Sequence, residues 1–172
     1  YNRRMELEQQ KPHVQDPRAH KRFVMYITAF LFALSANLPF YVNSSFLSQF
    51  LSESSVGLVY ALSSAVAILV FFLTPGLLER FGNFRLTLAI FCVQLLALIG
   101  LGAFSSGYFI IPLFVLSFVS VAILNFNLDI FVEHTTDTEH MGRVRGIFLT
   151  SANLAWIVAP LISSFILTDN DY

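Results

Sequence analysis

Charged side chains are scarce in this sequence. Only 12% of its 172 residues are Asp, Glu, Lys or Arg, about half of the roughly 25% found in soluble domains. Apolar residues make up 56%, so a soluble domain of this size would lack the polar surface that must cover its core. Cys92 is the single cysteine, which excludes an intrachain disulfide scaffold. The net charge of −1 gives no bulk attraction to nucleic acid, so we expect no nucleic-acid partner and a lipid bilayer as the solvent.

Long uncharged stretches are the main positive feature. A helix needs about 20 apolar residues to cross a bilayer, and four uncharged windows are 30, 25, 43 and 23 residues long. The window of 43 residues predicts two helices, with a hairpin turn at Ser105-Ser106-Gly107. The sequence therefore predicts an all-α membrane bundle of five transmembrane helices over residues 23–167. The predicted spans are 23–43, 55–75, 86–105, 108–131 and 146–167.

The distribution of cations predicts the orientation of this bundle. All ten Lys and Arg residues precede the first span, separate spans two and three, or separate spans four and five. These three segments lie on one side of a five-span bundle, and the other side has only acids, such as Glu53. Lys and Arg accumulate in cytoplasmic loops. We therefore expect a polar cytoplasmic tail at 1–22, an external tail at 168–172, and a multi-pass protein of the cell membrane, plasma or inner.

The two ends of the chain raise questions of processing. Residues 18–34 have the cations and the short apolar stretch of a secretory signal. However, the apolar run continues to Val42, and Ala33-Leu34-Ser35-Ala36 is a poor cleavage site. The chain begins with Tyr1 rather than Met and ends shortly after a span. We therefore expect an uncleaved first helix and a sequence that is a piece of a longer protein.

The short loop between spans two and three carries a motif. Residues 75–85 read Pro-Gly-Leu-Leu-Glu-Arg-Phe-Gly-Asn-Phe-Arg. The spacing of acid, base, Gly and base resembles the signature loop of the major facilitator superfamily, in the loop and on the side where that family carries it. The matching positions are Glu79, Arg80, Gly82 and Arg85. The sequence departs from the pattern at Pro75, Asn83 and Phe84, where the family has a Gly and two basic residues.

A second resemblance lies in the fifth span. Its small residues and its proline are Gly146, Ala155, Ala159-Pro160 and Ser163-Ser164. Their spacing is similar to a Gly/Pro pattern that antiporters of the same superfamily carry in the fifth helix. The alternative is ordinary close packing of small residues in a membrane helix, and the sequence leaves both interpretations open. We expect Gly146, Ala155, Ala159 and Pro160 to act in helix packing or as a hinge.

The resemblance implies a fold and a mechanism. The superfamily fold has twelve helices in two halves of six, each half built from inverted three-helix repeats, with substrate bound near the midplane between the halves. This sequence would supply the first five helices, so the missing C-terminal half of the same protein is an expected partner. The implied activity is secondary transport of a small solute by alternating access. The alternative is a non-transporting membrane protein on the same fold, either an assembly factor or a sensor.

Asp129 is the one carboxylate within a predicted span. It lies about 14 Å from the middle of span 108–131, at the cytoplasmic edge, where an acid needs a partner. In the family, an acid at this end of the fourth helix joins the charge network of the signature loop. We therefore predict a gating cluster that stabilises the outward-open state, with Arg80 or Arg85 as the partner of Asp129. Its members are Glu79, Arg80, Gly82, Arg85 and Asp129, and the alternative is that interfacial water solvates Asp129.

Polar residues inside the spans are few, and amides in lipid seek hydrogen-bond partners. In the family, helices one, two, four and five line the cavity and the third lies outside. We therefore predict that Asn37, Asn125 and Asn153 line a cavity with Trp156 as a stacking surface, and we leave Gln94 of the third span aside. Interhelical hydrogen bonding is the alternative for each amide. The apolar and aromatic spans favour an amphipathic or uncharged small-molecule substrate.

The sequence has no motif that predicts an enzyme, a cofactor or a metal site. It lacks the phosphate-binding loop of an ATP-driven pump and a Ser, His and Asp set that converges on one face. His134 and His140 do not have the spacing of a zinc-binding helix. We expect no catalytic residue, no cofactor and no metal ligand.

Overall fold

The computed structural model describes residues 17–136 and 141–166. Within these two ranges the chain forms five α-helices and no strand. The helices are α1 (Pro17–Ser48), α2 (Glu53–Phe81), α3 (Asn83–Ala103), α4 (Gly107–Thr135) and α5 (Met141–Ile166). Each is long and apolar enough to cross a membrane. The shortest has 21 residues, or about 32 Å, which matches the roughly 30 Å hydrocarbon core. The predicted all-α membrane bundle of five helices is confirmed.

Most helices extend beyond the predicted spans. α1 begins at Pro17, so residues 17–22 of the predicted polar tail are helical, and α1 continues to Ser48. Proline suits a first helical turn because the N–H that it lacks would be unpaired there. A charge-free window marks only the part of a helix that lies in hydrocarbon, whereas backbone hydrogen bonding continues into the interface. The rest of the predicted tails, 1–16 and 168–172, lies outside the described residues.

A single residue, Gly82, connects α2 to α3. Its backbone angles are φ 76° and ψ 153°, and it is the one residue with positive φ in the described part of the chain. This region of backbone space is accessible essentially to glycine alone. The Gly82 N–H donates to the Leu78 carbonyl at 2.9 Å, and its own carbonyl accepts from the Leu86 N–H at 3.1 Å. One residue therefore ends the second helix and begins the third.

The predicted turn between the third and fourth helices is confirmed. α3 ends at Ala103, slightly before the predicted boundary, and α4 begins at Gly107. The Phe104 N–H donates to the Gly100 carbonyl at 3.0 Å. The rings of Phe104 and Phe109 stack across the turn with centroids 4.9 Å apart, which holds the two helix ends together.

α4 is the central helix of the bundle. Its most apolar window is 39% buried, against 17–22% for the other four helices. α4 packs mainly on α3 and α2, whereas α1 packs mainly on α5. Residues of α4 take part in all three buried apolar clusters, one through Phe114, one through Val132 and one through Val119. The outer surfaces of the helices remain apolar, as expected where lipid replaces water.

Gly100 of α3 packs closely against the side chain of Leu113 on α4. A Cβ atom at this position would lie 2.9 Å from Leu113 Cδ1, well inside the 3.5–4.0 Å at which carbon atoms pack best. The absence of a side chain therefore allows the close approach of the two helices.

We expect Gly100→Leu to destabilise the bundle by about 1–3 kcal/mol, the usual cost of overpacking a tight contact. The measurement is thermal unfolding of the chain in detergent, followed by its helical circular dichroism. Gly102→Leu is the matched control, because a Cβ atom at Gly102 meets nothing within 4 Å. Equal stability of the two variants would contradict the close approach of α3 and α4.

Candidate functional site

A cavity of about 270 Å³ lies among the middle portions of α1, α3, α4 and α5. Its volume is near the lower end of the roughly 300–1,000 Å³ typical of small-molecule sites. Its polar lining consists of amides and a hydroxyl, on Asn37, Asn43, Gln94, Ser117 and Asn125. None of the described residues that line it is ionisable. We call this space the amide cavity.

Three of the four predicted cavity residues line the amide cavity. Asn37, Asn125 and Trp156 belong to its wall, and Asn153 does not. The wall on α5 is formed by Ala152 and Trp156, which are four residues apart and share one face of the helix. Asn153 is rotated by about 100° from Ala152 around the helix axis, and its side chain is exposed.

Gln94 is the cavity residue that sequence reasoning missed. It lies one position from the middle of α3, about 1.5 Å along the helix axis, and is only 7% exposed. Its Nε2 donates a hydrogen bond to Ser117 Oγ of α4 at 3.1 Å. The sequence does mark Gln94, because it is the one amide in the third span. It was set aside because the family resemblance places the third helix outside the cavity.

Two buried polar atoms of the amide cavity have no hydrogen-bond partner among the described residues. They are Asn37 Nδ2 and Gln94 Oε1. The Asn37 side chain is 5% exposed, so bulk water does not satisfy it. A buried polar atom without a partner costs about 1–3 kcal/mol. One donor and one acceptor on different helices are therefore available to a molecule in the cavity.

Aromatic rings form the apolar part of the cavity wall. Phe40 of α1 and Trp156 of α5 meet edge to face, with centroids 5.4 Å apart and planes at 72°. This is a favourable aromatic geometry. Phe114 and Phe118 of α4 line the same space. The wall can therefore hold an apolar or aromatic group beside the amides.

A larger apolar groove lies between α1 and α3, over the C-terminal half of α4. Its volume is about 510 Å³, and its wall includes Phe32, Phe91 and Phe131. The hydroxyls of its two threonines are already engaged, Thr28 with the Val24 carbonyl and Thr87 with Asn83 Oδ1. His20 is the one other polar residue of its wall, and it lies near the start of α1 rather than at the middle of the helices. The groove therefore offers few polar groups to orient a solute within the membrane. The smaller amide cavity is therefore the better candidate site.

The structure corrects the expected partner of Asp129. Asp129 Oδ2 accepts from Arg145 Nη2 at 2.5 Å, and neither Arg80 nor Arg85 pairs with it. This bond joins the end of α4 to the start of α5. The Arg80 guanidinium lies 5.5 Å from the ring centroid of Phe81. Within the described ranges, therefore, the predicted cluster of signature-loop charges around Asp129 is not assembled.

Sequence proximity explains why Arg145 is the partner. Asp129 and Arg145 lie near the end of α4 and the start of α5, on either side of a short connection, so they are close along the chain. Both side chains are partly exposed, Arg145 by 52% and Asp129 by 38%. Val132 and Val144, which belong to one buried cluster, are close to the pair along the chain.

Asn83 ties the signature loop to the central helix. Its Nδ2 donates to the backbone carbonyl of Asn127 on α4 at 3.2 Å, and its Oδ1 accepts from Thr87 Oγ1 at 3.2 Å. The loop resemblance aligns Asn83 with a position that is basic in the family. A neutral amide there links the start of α3 to α4 by a hydrogen bond rather than by an ion pair.

The small residues of α5 differ in their surroundings. Ala155 and Ala159 are completely buried on the helix that packs mainly against α1. Pro160 is half-buried within the helix. Gly146 is exposed, and a Cβ atom built there meets nothing within 4 Å, so the close packing expected at Gly146 is absent from the described residues.

Five apolar helices, four of which line a small polar cavity, define an integral multi-pass membrane protein. A family model described as Major Facilitator Superfamily matches residues 9–160. The chain belongs to the major facilitator superfamily, whose members are transporters rather than enzymes. Comparison with curated proteins and with solved structures found no match.

Proposed function

We propose that this chain is part of a secondary transporter that moves a small uncharged or amphipathic solute by alternating access. The observation that carries the proposal is the amide cavity. It places a free donor, Asn37 Nδ2, and a free acceptor, Gln94 Oε1, near the middle of the membrane-spanning helices. Buried polar atoms are costly there, and a bound solute would offset that cost. Membership of a transporter superfamily supports the same assignment.

The proposal includes an orientation. The cations of the described residues lie at the α1 start, the α2–α3 connection and the α5 start, and Glu53 begins α2 at the opposite end. Because Lys and Arg accumulate on the cytoplasmic side, the start of α1 faces the cytoplasm in this proposal. The membrane would then be the cell membrane, plasma or inner.

The proposal also includes a second half of the same protein. Two aromatic residues of the amide cavity, Phe40 and Trp156, remain 48% and 44% exposed, so the cavity is incompletely closed by these five helices. A C-terminal half that packs over this side would complete its wall and supply the second rigid body that alternating access needs.

Solute flux tests the proposal. We expect the natural full-length protein, reconstituted in liposomes, to catalyse saturable counterflow of at least one solute in a panel of labelled neutral compounds. Asn37→Leu should lower that flux several-fold, because it removes a hydrogen-bond donor from the cavity. Gln49→Leu is the control, since Gln49 is exposed in the turn between α1 and α2. A folded protein without flux for any solute would favour the assembly factor or sensor.

A further inference from the structure

We infer that the amide cavity binds an uncharged solute that pairs an amide-like polar group, with both a hydrogen-bond acceptor and a donor, with an aromatic ring. Gln94 of α3 is the residue that selects it. This inference rests on the proposed function, because it names the substrate class of the same cavity.

The hydrogen-bonding requirement comes from the two buried atoms without partners. Asn37 Nδ2 is a donor and therefore fits a carbonyl oxygen of the solute, whereas Gln94 Oε1 is an acceptor and fits an N–H. A primary or cyclic carboxamide carries both groups on one edge. An ether or a ketone lacks the donor and would leave Gln94 Oε1 unsatisfied.

The requirement for neutrality comes from the wall. None of the described lining residues is ionisable, so a buried carboxylate or ammonium would have no countercharge. An unpaired ion in such an environment is far more costly than a neutral polar group. The cavity therefore discriminates against charged solutes of the same shape.

The aromatic requirement comes from the rings that line the same cavity as the amides. Phe40 and Trp156 meet edge to face, and Phe114 and Phe118 complete this part of the wall. A planar ring gains both apolar burial and aromatic contact there. The volume of about 270 Å³ limits the solute to a compact molecule of this kind.

We assign the selection of the solute to Gln94 because a hydrogen bond fixes the position of its side-chain amide. Its Nε2 is held by Ser117 Oγ at 3.1 Å, so the free Oε1 has a defined position. Its side chain is 7% exposed, and it lies one position from the middle of α3. A site built to hydrogen-bond a solute N–H rejects an analogue that lacks this group much more strongly than an apolar site does.

Benzamide is the probe that tests the inference. Trp156 is the single tryptophan of the chain and lines the cavity, so its fluorescence reports on occupancy. With the natural full-length protein in lipid nanodiscs, in a variant that keeps Trp156 as its one tryptophan, we expect benzamide to produce a saturable change in this fluorescence. Benzoate, benzylammonium and ethylbenzene, which differ in charge or lack the amide, should give a much weaker response.

Variants on two helices assign the binding to the amides. We expect Gln94→Leu and Asn37→Leu each to weaken benzamide binding about tenfold, and Gln49→Leu, the same chemical change at an exposed turn, to leave it unchanged. Helical circular dichroism establishes that each variant is folded. The inference is overturned if benzamide gives no saturable change, if benzoate binds equally well, or if both Leu variants bind benzamide as Gln49→Leu does.

The outcome separates this inference from the proposed function. Saturable flux of some other solute, without benzamide binding, overturns the amide-ring class and leaves the transporter assignment standing. Benzamide binding without flux of any solute supports the ligand class and overturns the transporter assignment.

Discussion

Gly82→Ala is expected to destabilise the chain by about 1–3 kcal/mol, the cost of forcing a residue with a side chain into a backbone region that only glycine occupies readily. Gly82 has φ 76° and ψ 153° and is the entire connection between α2 and α3. A change of these angles would redirect α3 as a whole, so local relaxation cannot relieve the strain. The measurement is the midpoint of thermal unfolding in lipid nanodiscs.

Two further substitutions make this prediction specific. Gly76→Ala is the matched control, because Gly76 lies within α2 and a Cβ atom there meets nothing within 4 Å. Alanine is favoured over glycine inside a helix by roughly 1 kcal/mol, so this variant should be as stable as the wild type or more so. Gly82→Asn should be no better than Gly82→Ala, since asparagine tolerates the left-handed region near ψ 45° but gains nothing at ψ 153°. If Gly82→Ala were as stable as Gly76→Ala, the connection would have to adopt another conformation.

A substitution at Gly82 would also affect α4, the central helix, through the adjacent residue Asn83. Asn83 immediately follows Gly82, and its Nδ2 bonds to the Asn127 carbonyl of α4. This bond requires the start of α3 to lie against the C-terminal half of α4. A displaced connection between α2 and α3 would therefore break it and loosen three helices together.

The helix count follows from physical constraints that the sequence displays directly. Lipid offers no partners for backbone N–H and C=O groups, so each sufficiently long apolar window must become a helix. This reasoning separates α3 from α4 at the turn before Gly107. It does not give the true ends, since α1 begins at Pro17, among residues too polar for the hydrocarbon.

The site is less predictable because membrane helices are apolar on all sides. In a soluble helix the polar stripe shows which face points inward, but α3 has no such stripe to orient Gln94. Asn153 and Asn125 look alike in the sequence, and only the packing of α5 turns Asn153 away from the cavity while Asn125 lines it. Sequence alone therefore identifies candidate polar residues, but it cannot show which face of a helix points into the cavity.

The partner of Asp129 was mispredicted for a different reason. Several cations lie at the same end of the bundle, and the sequence does not rank the distances between them. The family resemblance favoured Arg80 and Arg85 of the signature loop. The short connection between α4 and α5 instead brings Arg145 to Asp129, which local sequence separation would have suggested.

We expect Asp129 and Arg145 to act together as a clasp between the adjoining ends of α4 and α5, which the proposed orientation places on the cytoplasmic side. These two helices make few direct contacts compared with α1 and α5, so their ion pair is a large share of what joins them. In a transporter that alternates its access, Arg145→Gln should therefore open this end more often. A single cysteine at Leu128, in a Cys92→Ser background, should react about fivefold faster with a thiol reagent applied from the cytoplasmic side. A fivefold change in labelling rate corresponds to about 1 kcal/mol, which is within the range of interaction free energies for residues in contact.

A charge exchange distinguishes a clasp from a simple loss of charge. The double variant with Asp129→Arg and Arg145→Asp restores the pair in reverse, so it should return the labelling rate at Leu128 towards the wild-type value. Asp129→Asn and Arg145→Gln should each raise the rate, and together they should raise it by less than the sum of their separate effects.

Arg143→Gln is the matched control, because Arg143 is exposed on the same turn of α5 and has no ion pair with a described residue. Additive single effects, or an exchange variant that labels as fast as Arg145→Gln, would mean that the two charges act independently. The orientation of α5 would then depend on the buried packing of Val144 and Phe148 rather than on the ion pair.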